Sequence, residues 1–302
     1  MNTPLGTQSM LEPAMGEAAS FVESALDTLL PAPEGPEARL LEAMRYAALN
    51  PSHRLRAFLV LQTGRLFGVD RRALGRAAAA VECVHAYGAA RDALPTLDAL
   101  PTLDGAETGG GDAGLHRAFD EATAILAGDA LLTFAFGLLG SSDAIGDPFI
   151  RAELVTRLAQ AAGHSGMIGG QMLETAFANA EGGEAPPLPE ISRLQRMKTA
   201  ALITFCCEAG AVLGRASPPA RHALSAYGQD VGLAFQIAAD LAAADGKSAD
   251  TRKPTVVSAM GVERAHAQAM ALSAQAVRHL DLFDEKADLL RAAAQFVISR
   301  RA

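Results

Sequence analysis

Tryptophan is absent from this chain of 302 residues, and aromatic residues make up only 5% of it. Sheet proteins fill their pleated faces with aromatic and β-branched side chains, so that scarcity weighs against a β architecture. Cysteine is nearly absent too. Cys83, Cys206 and Cys207 fit neither a disulfide framework nor a zinc ligand set, and read as reduced, buried thiols of a cytoplasmic protein. Basic residues are outnumbered, 26 against 34 acidic ones, for a net charge of -8. That balance excludes the basic face on which non-specific nucleic-acid binding depends. No apolar run approaches the roughly 20 residues needed to span a bilayer, so no transmembrane segment is expected. The N-terminus lacks the charged-then-apolar pattern of an export signal.

What the chain does have is helix-forming sequence. Half of it is hydrophobic, 20% is charged, and the alanine- and leucine-rich segments repeat at helical spacing. Residues 1–15, rich in Gly, Pro and Met, read as a flexible N-terminal arm, and 16–302 as a single all-α domain. Helices are expected at 16–30, 37–48, 55–67, 72–90, 115–139, 149–163, 166–178, 188–213, 220–244, 256–259, 262–282 and 286–300. Nothing alternates with the period of a strand. Ten or more helices with short connections make a bundle, and no internal repeat of solenoid length is present.

The stretch 92–111 is the most chemically pointed. Asp92, Asp98 and Asp104 stand at an even spacing of six, separated by two copies of Ala-Leu-Pro-Thr-Leu. Carboxylates at fixed intervals after a helix collect hard cations, which prefer oxygen ligands. The other reading is that they merely solvate a duplicated loop.

Seven short motifs in order give the chain a family likeness. They are Arg54-Leu-Arg-Ala-Phe-Leu-Val, Ala80-Val-Glu-Cys-Val-His-Ala-Tyr, Ala124-Ile-Leu-Ala-Gly-Asp-Ala-Leu, Gly169-Gly-Gln, Met197-Lys-Thr-Ala-Ala-Leu-Ile, Gly232-Leu-Ala-Phe-Gln-Ile and Lys253-Pro-Thr. From about residue 38 to the C-terminus the chain resembles the trans-prenyltransferases of the polyprenyl synthetase family, in their bacterial farnesyl diphosphate synthase branch. The resemblance implies an isoprenoid-synthase-type bundle around a central cavity, usually a homodimer. Such proteins join isopentenyl diphosphate to an allylic diphosphate with Mg2+. The leaving diphosphate gathers charge that metal ions and cationic side chains must stabilise, while an apolar cavity excludes water.

Carried over position by position, the resemblance assigns the substrate diphosphates to His53, Arg56, His85, Lys198, Thr199, Gln236, Lys247 and Lys253. Lys198, Thr199 and Gln236 are the catalytic candidates. Tyr87, below the cation-binding rim, matches the aromatic that floors the cavity at about fifteen carbons. Asp92 keeps the first position of the family's first aspartate-rich motif, Ala93 replaces the second, and Asp98 or Asp104 takes the distal one. In the second motif Ala239 and Ala243 stand where two aspartates are expected, leaving Asp240 about 100° round the helix. Gly109 and Gly110 replace an arginine pair, and His53 replaces a lysine.

A hydrogen bond to a charged group contributes roughly 1.5–3 kcal/mol. Losing two arginines, a lysine and a carboxylate therefore removes on the order of 6–10 kcal/mol of transition-state stabilisation. The expectation is a farnesyl-synthase-like protein with an eroded site and weakened Mg2+ binding, poorly active or inactive, serving as a prenyl-diphosphate binder or as a subunit of a homodimer or a heterodimer with an active paralogue. The alternatives are an active short-chain prenyltransferase with altered metal use, or a changed reaction on one allylic substrate.

Overall fold

The run Ala77-Ala78-Ala79-Ala80-Val81 is wholly buried, and it forms the centre of a 22-residue helix, α4 (Arg71–Asp92). Alanine lets neighbouring backbones approach closely while contributing the strongest helix propensity. Asp70 caps it, accepting the backbone N–H groups of Arg72 and Ala73. The computed structural model describes residues 5–50, 54–95, 114–180, 186–245 and 254–299, and every regular element among them is helical.

These residues fall into two compact units: 15–61 with 70–155, and 1–14 with 62–69 and 156–302. In the first, α4 packs against α6 (Glu121–Gly140) and α2 (Ala38–Leu49). Ala124, Ala127, Leu131, Ala135 and Leu138 of α6 are buried. In the second, a long α11 (Pro218–Asp245) packs against α10 (Ala201–Leu213) and α13 (Val262–His279). The second unit's core gathers Ile191, Ile237, Val256, Val257, Ala265 and Ala269.

The structure corrects three expectations. The N-terminal arm is helical from Leu5, in α1 (Leu5–Leu29), because Leu11, Met15, Ala18, Val22 and Leu26 form one buried stripe. Pro13 withholds one backbone donor without ending the helix. The single helix expected over 115–139 is two, α5 (Leu115–Ala118) and α6. Asp120 breaks it by capping α6, accepting from Thr123 N at 2.7 Å and Thr123 Oγ1 at 2.7 Å. Third, α6 is long and apolar enough by length and composition to cross a bilayer, although only 39% of its most apolar window is buried. Its inward face, Ala124, Ala127, Leu131, Ala135 and Leu138, packs into the core of the first unit.

Candidate functional site

In the first unit a buried ion pair shapes the entry to α3 (Leu55–Arg65). Arg54 adopts a left-handed φ of 47°. Its guanidinium donates to Glu82 Oε2 at 3.0 Å and to the carbonyls of Ala48 and Asn50, each at 2.9 Å. Glu82 Oε1 accepts the backbone N–H of Ala57 at 3.0 Å. Glu82 is 1% exposed, so it fixes the turn before α3 from within the core. Arg56 follows on that helix, half-buried like His85, which lies one turn beyond Glu82 on α4.

Arg56 and His85 are electrostatically coupled. The Arg56 charge, then burial, then Arg54 hold the imidazole well below its ordinary value, so His85 is neutral at pH 7. At the end of α4, Asp92 is exposed. The side chain of Arg91 lies 5.6 Å from the Tyr87 ring centre and 3.5 Å from Asp129. Tyr87 is 4% exposed and packs over Gly128, where a Cβ would stand 3.3 Å from the ring. Burial raises its hydroxyl pKa against the lowering effect of Arg91.

In the second unit the site grows from a π turn, Arg196–Ala200, set between α9 (Leu188–Gln195) and α10. Such bulges re-aim side chains that a continuous helix would point elsewhere. Two glycines admit this turn: a Cβ at Gly170 of α8 (Met167–Ala178) would come 2.4 Å from Lys198 N, and one at Gly232 2.6 Å from Ala200 Cα. Lys198 Nζ pairs with Glu174 Oε2 at 2.6 Å, both about one-fifth exposed. Thr199 Oγ1 donates to Gln236 Oε1 at 2.6 Å, and Gln236 Nε2 donates to Asp240 Oδ1 at 2.8 Å. Gln195 Nε2 donates to Asp240 Oδ2, also at 2.8 Å.

This network revises the reading of Asp240 as a metal ligand. Turning its carboxylate toward a cation would strip two amide donors of their acceptor, at about 1–3 kcal/mol each where they are buried. Ala239 and Ala243 are exposed on the same helix and offer only methyl groups. Among the described residues no cluster of three His, Cys, Asp or Glu is placed to hold a metal. On the described part of α11 the Asp240 carboxylate is thus engaged by two amides. Asp98, Asp104, His53, Lys247 and Lys253 lie outside the described residues.

So the structure brings Lys198, Thr199, Gln236 and Asp240 together in one unit, and Arg56 with His85 in the other. Sequence reasoning missed Glu174, Gln195, Arg54 and Glu82 as partners of these groups. A signal existed for two of them: Glu82 is a charge inside an apolar run, and Glu174 follows Gly169-Gly-Gln by three residues, one helical turn on.

The chain also matches known proteins over most of its length. A profile described as Polyprenyl synthetase matches residues 37–260. The farnesyl diphosphate synthase of Escherichia coli strain K12 is 37% identical over 277 residues, covering 86% of this chain and 89% of its own. An FPP/GFPP synthase from Zymomonas mobilis, solved without ligand, is 41% identical with a TM-score of 0.86, covering 97% of this chain and 100% of its own. A geranyltransferase structure from Legionella pneumophila is 27% identical, with a TM-score of 0.82 and coverage of 97% and 98%.

Proposed function

This chain belongs to the polyprenyl synthetase family, and from that premise we propose that it is a short-chain trans-prenyltransferase with altered metal use. Its substrates are an allylic diphosphate and isopentenyl diphosphate. The observation that carries this reading is the arrangement of Lys198, Thr199 and Gln236 on the π turn and α11, with Lys198 held by Glu174 and Thr199 bonded to a Gln236 that Asp240 holds. An ammonium held beside a leaving oxygen stabilises the charge that develops as the allylic C–O bond breaks. Arg56 and neutral His85 present a cation and a hydrogen-bonding ring for the second diphosphate. Tyr87, buried against α6, sets the floor of the product cavity at about fifteen carbons by likeness to the family. Mg2+ supplies charge neutralisation in this chemistry. Its candidate ligands here are Asp92 with Asp98 or Asp104, Asp240 being engaged by Gln195 and Gln236. A homodimer is part of the same proposal, supported by exposed Ile125 and Leu126 on the outer face of α6.

A second reading has its own observation. Ala93, Ala239 and Ala243 occupy carboxylate positions of the family, which favours a non-catalytic prenyl-diphosphate binder or a partner subunit. Incubating the purified chain with dimethylallyl and isopentenyl diphosphates and magnesium, and resolving products by length, separates the two. A C15 product formed at the rate of an ordinary synthase supports the first. Binding of an unreactive allylic thiolodiphosphate without any product establishes the second and overturns the first.

A further inference from the structure

We infer that Gln195 and Asp240 are positioning residues that fix the amide of Gln236, and that Asp240 stays in this role when magnesium is present. The inference deepens the proposed prenyltransferase site and rests on that reading for its kinetic part only. A glutamine side chain has two nearly isosteric orientations, and its neighbours decide between them. Here a carboxylate on α11 takes the Gln236 Nε2–H at 2.8 Å, so the carbonyl end turns to Thr199 Oγ1 at 2.6 Å. The carboxylate is itself held from the other side by Gln195 Nε2 at 2.8 Å. Gln195 is 3% exposed, so this anchor is shielded from competing water. The order of donors is therefore set along the whole chain of four side chains: Gln195 and Gln236 give to Asp240, and Thr199 gives to Gln236.

Two consequences distinguish this role from metal ligation. Asparagine at position 240 keeps one oxygen for Gln236, so Asp240→Asn preserves the orientation while losing the charge. Alanine loses both. At a metal-ligand position both substitutions would raise the magnesium requirement, since each removes the carboxylate charge. Gln195→Leu removes the outer anchor without touching any carboxylate, and its similar volume suits the buried site.

The test uses the full chain labelled with 15N in glutamine side chains, as wild type, Asp240→Asn, Asp240→Ala and Gln195→Leu. Thermal unfolding serves as the check on folding. The Gln195 and Gln236 amide signals are expected well separated from exposed glutamines, unchanged by excess magnesium chloride with or without inorganic pyrophosphate. Both collapse in Asp240→Ala, and the Gln236 signal survives in Asp240→Asn. In turnover, Asp240→Ala is expected to lower kcat about tenfold, equivalent to about 1.4 kcal/mol, with the magnesium concentration for half-activation unmoved. Asp240→Asn recovers most of that rate. Magnesium shifting both signals in the wild type, or Asp240→Asn raising the magnesium requirement as far as Asp240→Ala does, overturns the inference. Wild type that shows the amide pattern but no turnover upholds the positioning network and refutes the prenyltransferase reading instead.

Discussion

Replacing Glu82 with alanine tests whether the turn ahead of Arg56 is held from the core. The variant leaves the Arg54 guanidinium, 4% exposed, without the carboxylate 3.0 Å away. Breaking one side of a buried pair destabilises by about 3–5 kcal/mol, because the remaining charge stays desolvated. The Ala57 N–H loses its acceptor as well, adding about 1–3 kcal/mol if no water replaces it. Against this, Arg54 retains the carbonyls of Ala48 and Asn50 and a longer-range partner, Glu23, at 3.8 Å. The lower end, about 3 kcal/mol, is therefore expected, a large share of the roughly 5–15 kcal/mol that stabilises a typical domain. Urea unfolding followed by circular dichroism measures it, with Arg54→Met, Glu82→Leu and the double variant Arg54→Met/Glu82→Leu closing the cycle. The double variant should be markedly more stable than Glu82→Ala, since no unpaired charge remains. A loss below about 1 kcal/mol for Glu82→Ala, or a double variant as unstable as the sum of the singles, refutes the reasoning.

Gly170→Ala should distort the π turn, since its Cβ would stand 2.4 Å from Lys198 N. We expect about 1–3 kcal/mol of overpacking, only partly offset by better helix propensity, with allylic thiolodiphosphate affinity, read by calorimetry, falling alongside the melting temperature. His85, depressed in the folded state, takes up its proton less readily than in the unfolded chain. Stability is thus unaffected above the unfolded value near 6.5 and declines as pH falls below it, by up to about 1.4 kcal/mol per unit. His85→Gln should flatten that part of the stability profile, and an unchanged slope between pH 6.5 and 5 counts against it. Ala239→Asp with Ala243→Asp restores two carboxylates to exposed positions one turn apart on α11. It should lower the magnesium requirement about tenfold or more while leaving the Gln236–Asp240 amide signal in place.

The all-helical class was legible because the alanine and leucine spacing is strong, and most helix bounds follow from caps and prolines visible in the chain. Asp120 was legible in principle as a cap, but Leu115 to Leu139 carries apolar residues so continuously that the periodicity hides the break. The arm was misread for the opposite reason: Gly, Pro and Met drew attention while buried Leu11 and Met15 continue the stripe of Ala18 and Val22 from the helix expected at 16–30. The π turn has no local signature at all. Met197-Lys-Thr-Ala has ordinary helix formers, and the bulge depends on Gly170 and Gly232, which stand distant in sequence and only in space press against it. The role of Asp240 was hidden in the same way. Its two amide donors come from positions 195 and 236, and no spacing rule connects the first of them to a carboxylate 45 residues later.

Charge decides how such a site handles a diphosphate. Lys198 is paired with Glu174, so in the absence of ligand this cation is locally offset. The Arg56 charge, for its part, holds the His85 imidazole well below its ordinary value. If the proposed diphosphate site lies at Arg56, a bound diphosphate opposes part of the field that suppresses His85 protonation, and the imidazole pKa is expected to rise on binding. The expected outcome is that inorganic pyrophosphate binds more tightly as pH falls toward about 6, read by calorimetry, and an affinity in His85→Gln with the same pH slope refutes it. That linkage reads the Arg56–His85 corner independently of any metal, because it depends on one imidazole and one guanidinium rather than on carboxylates.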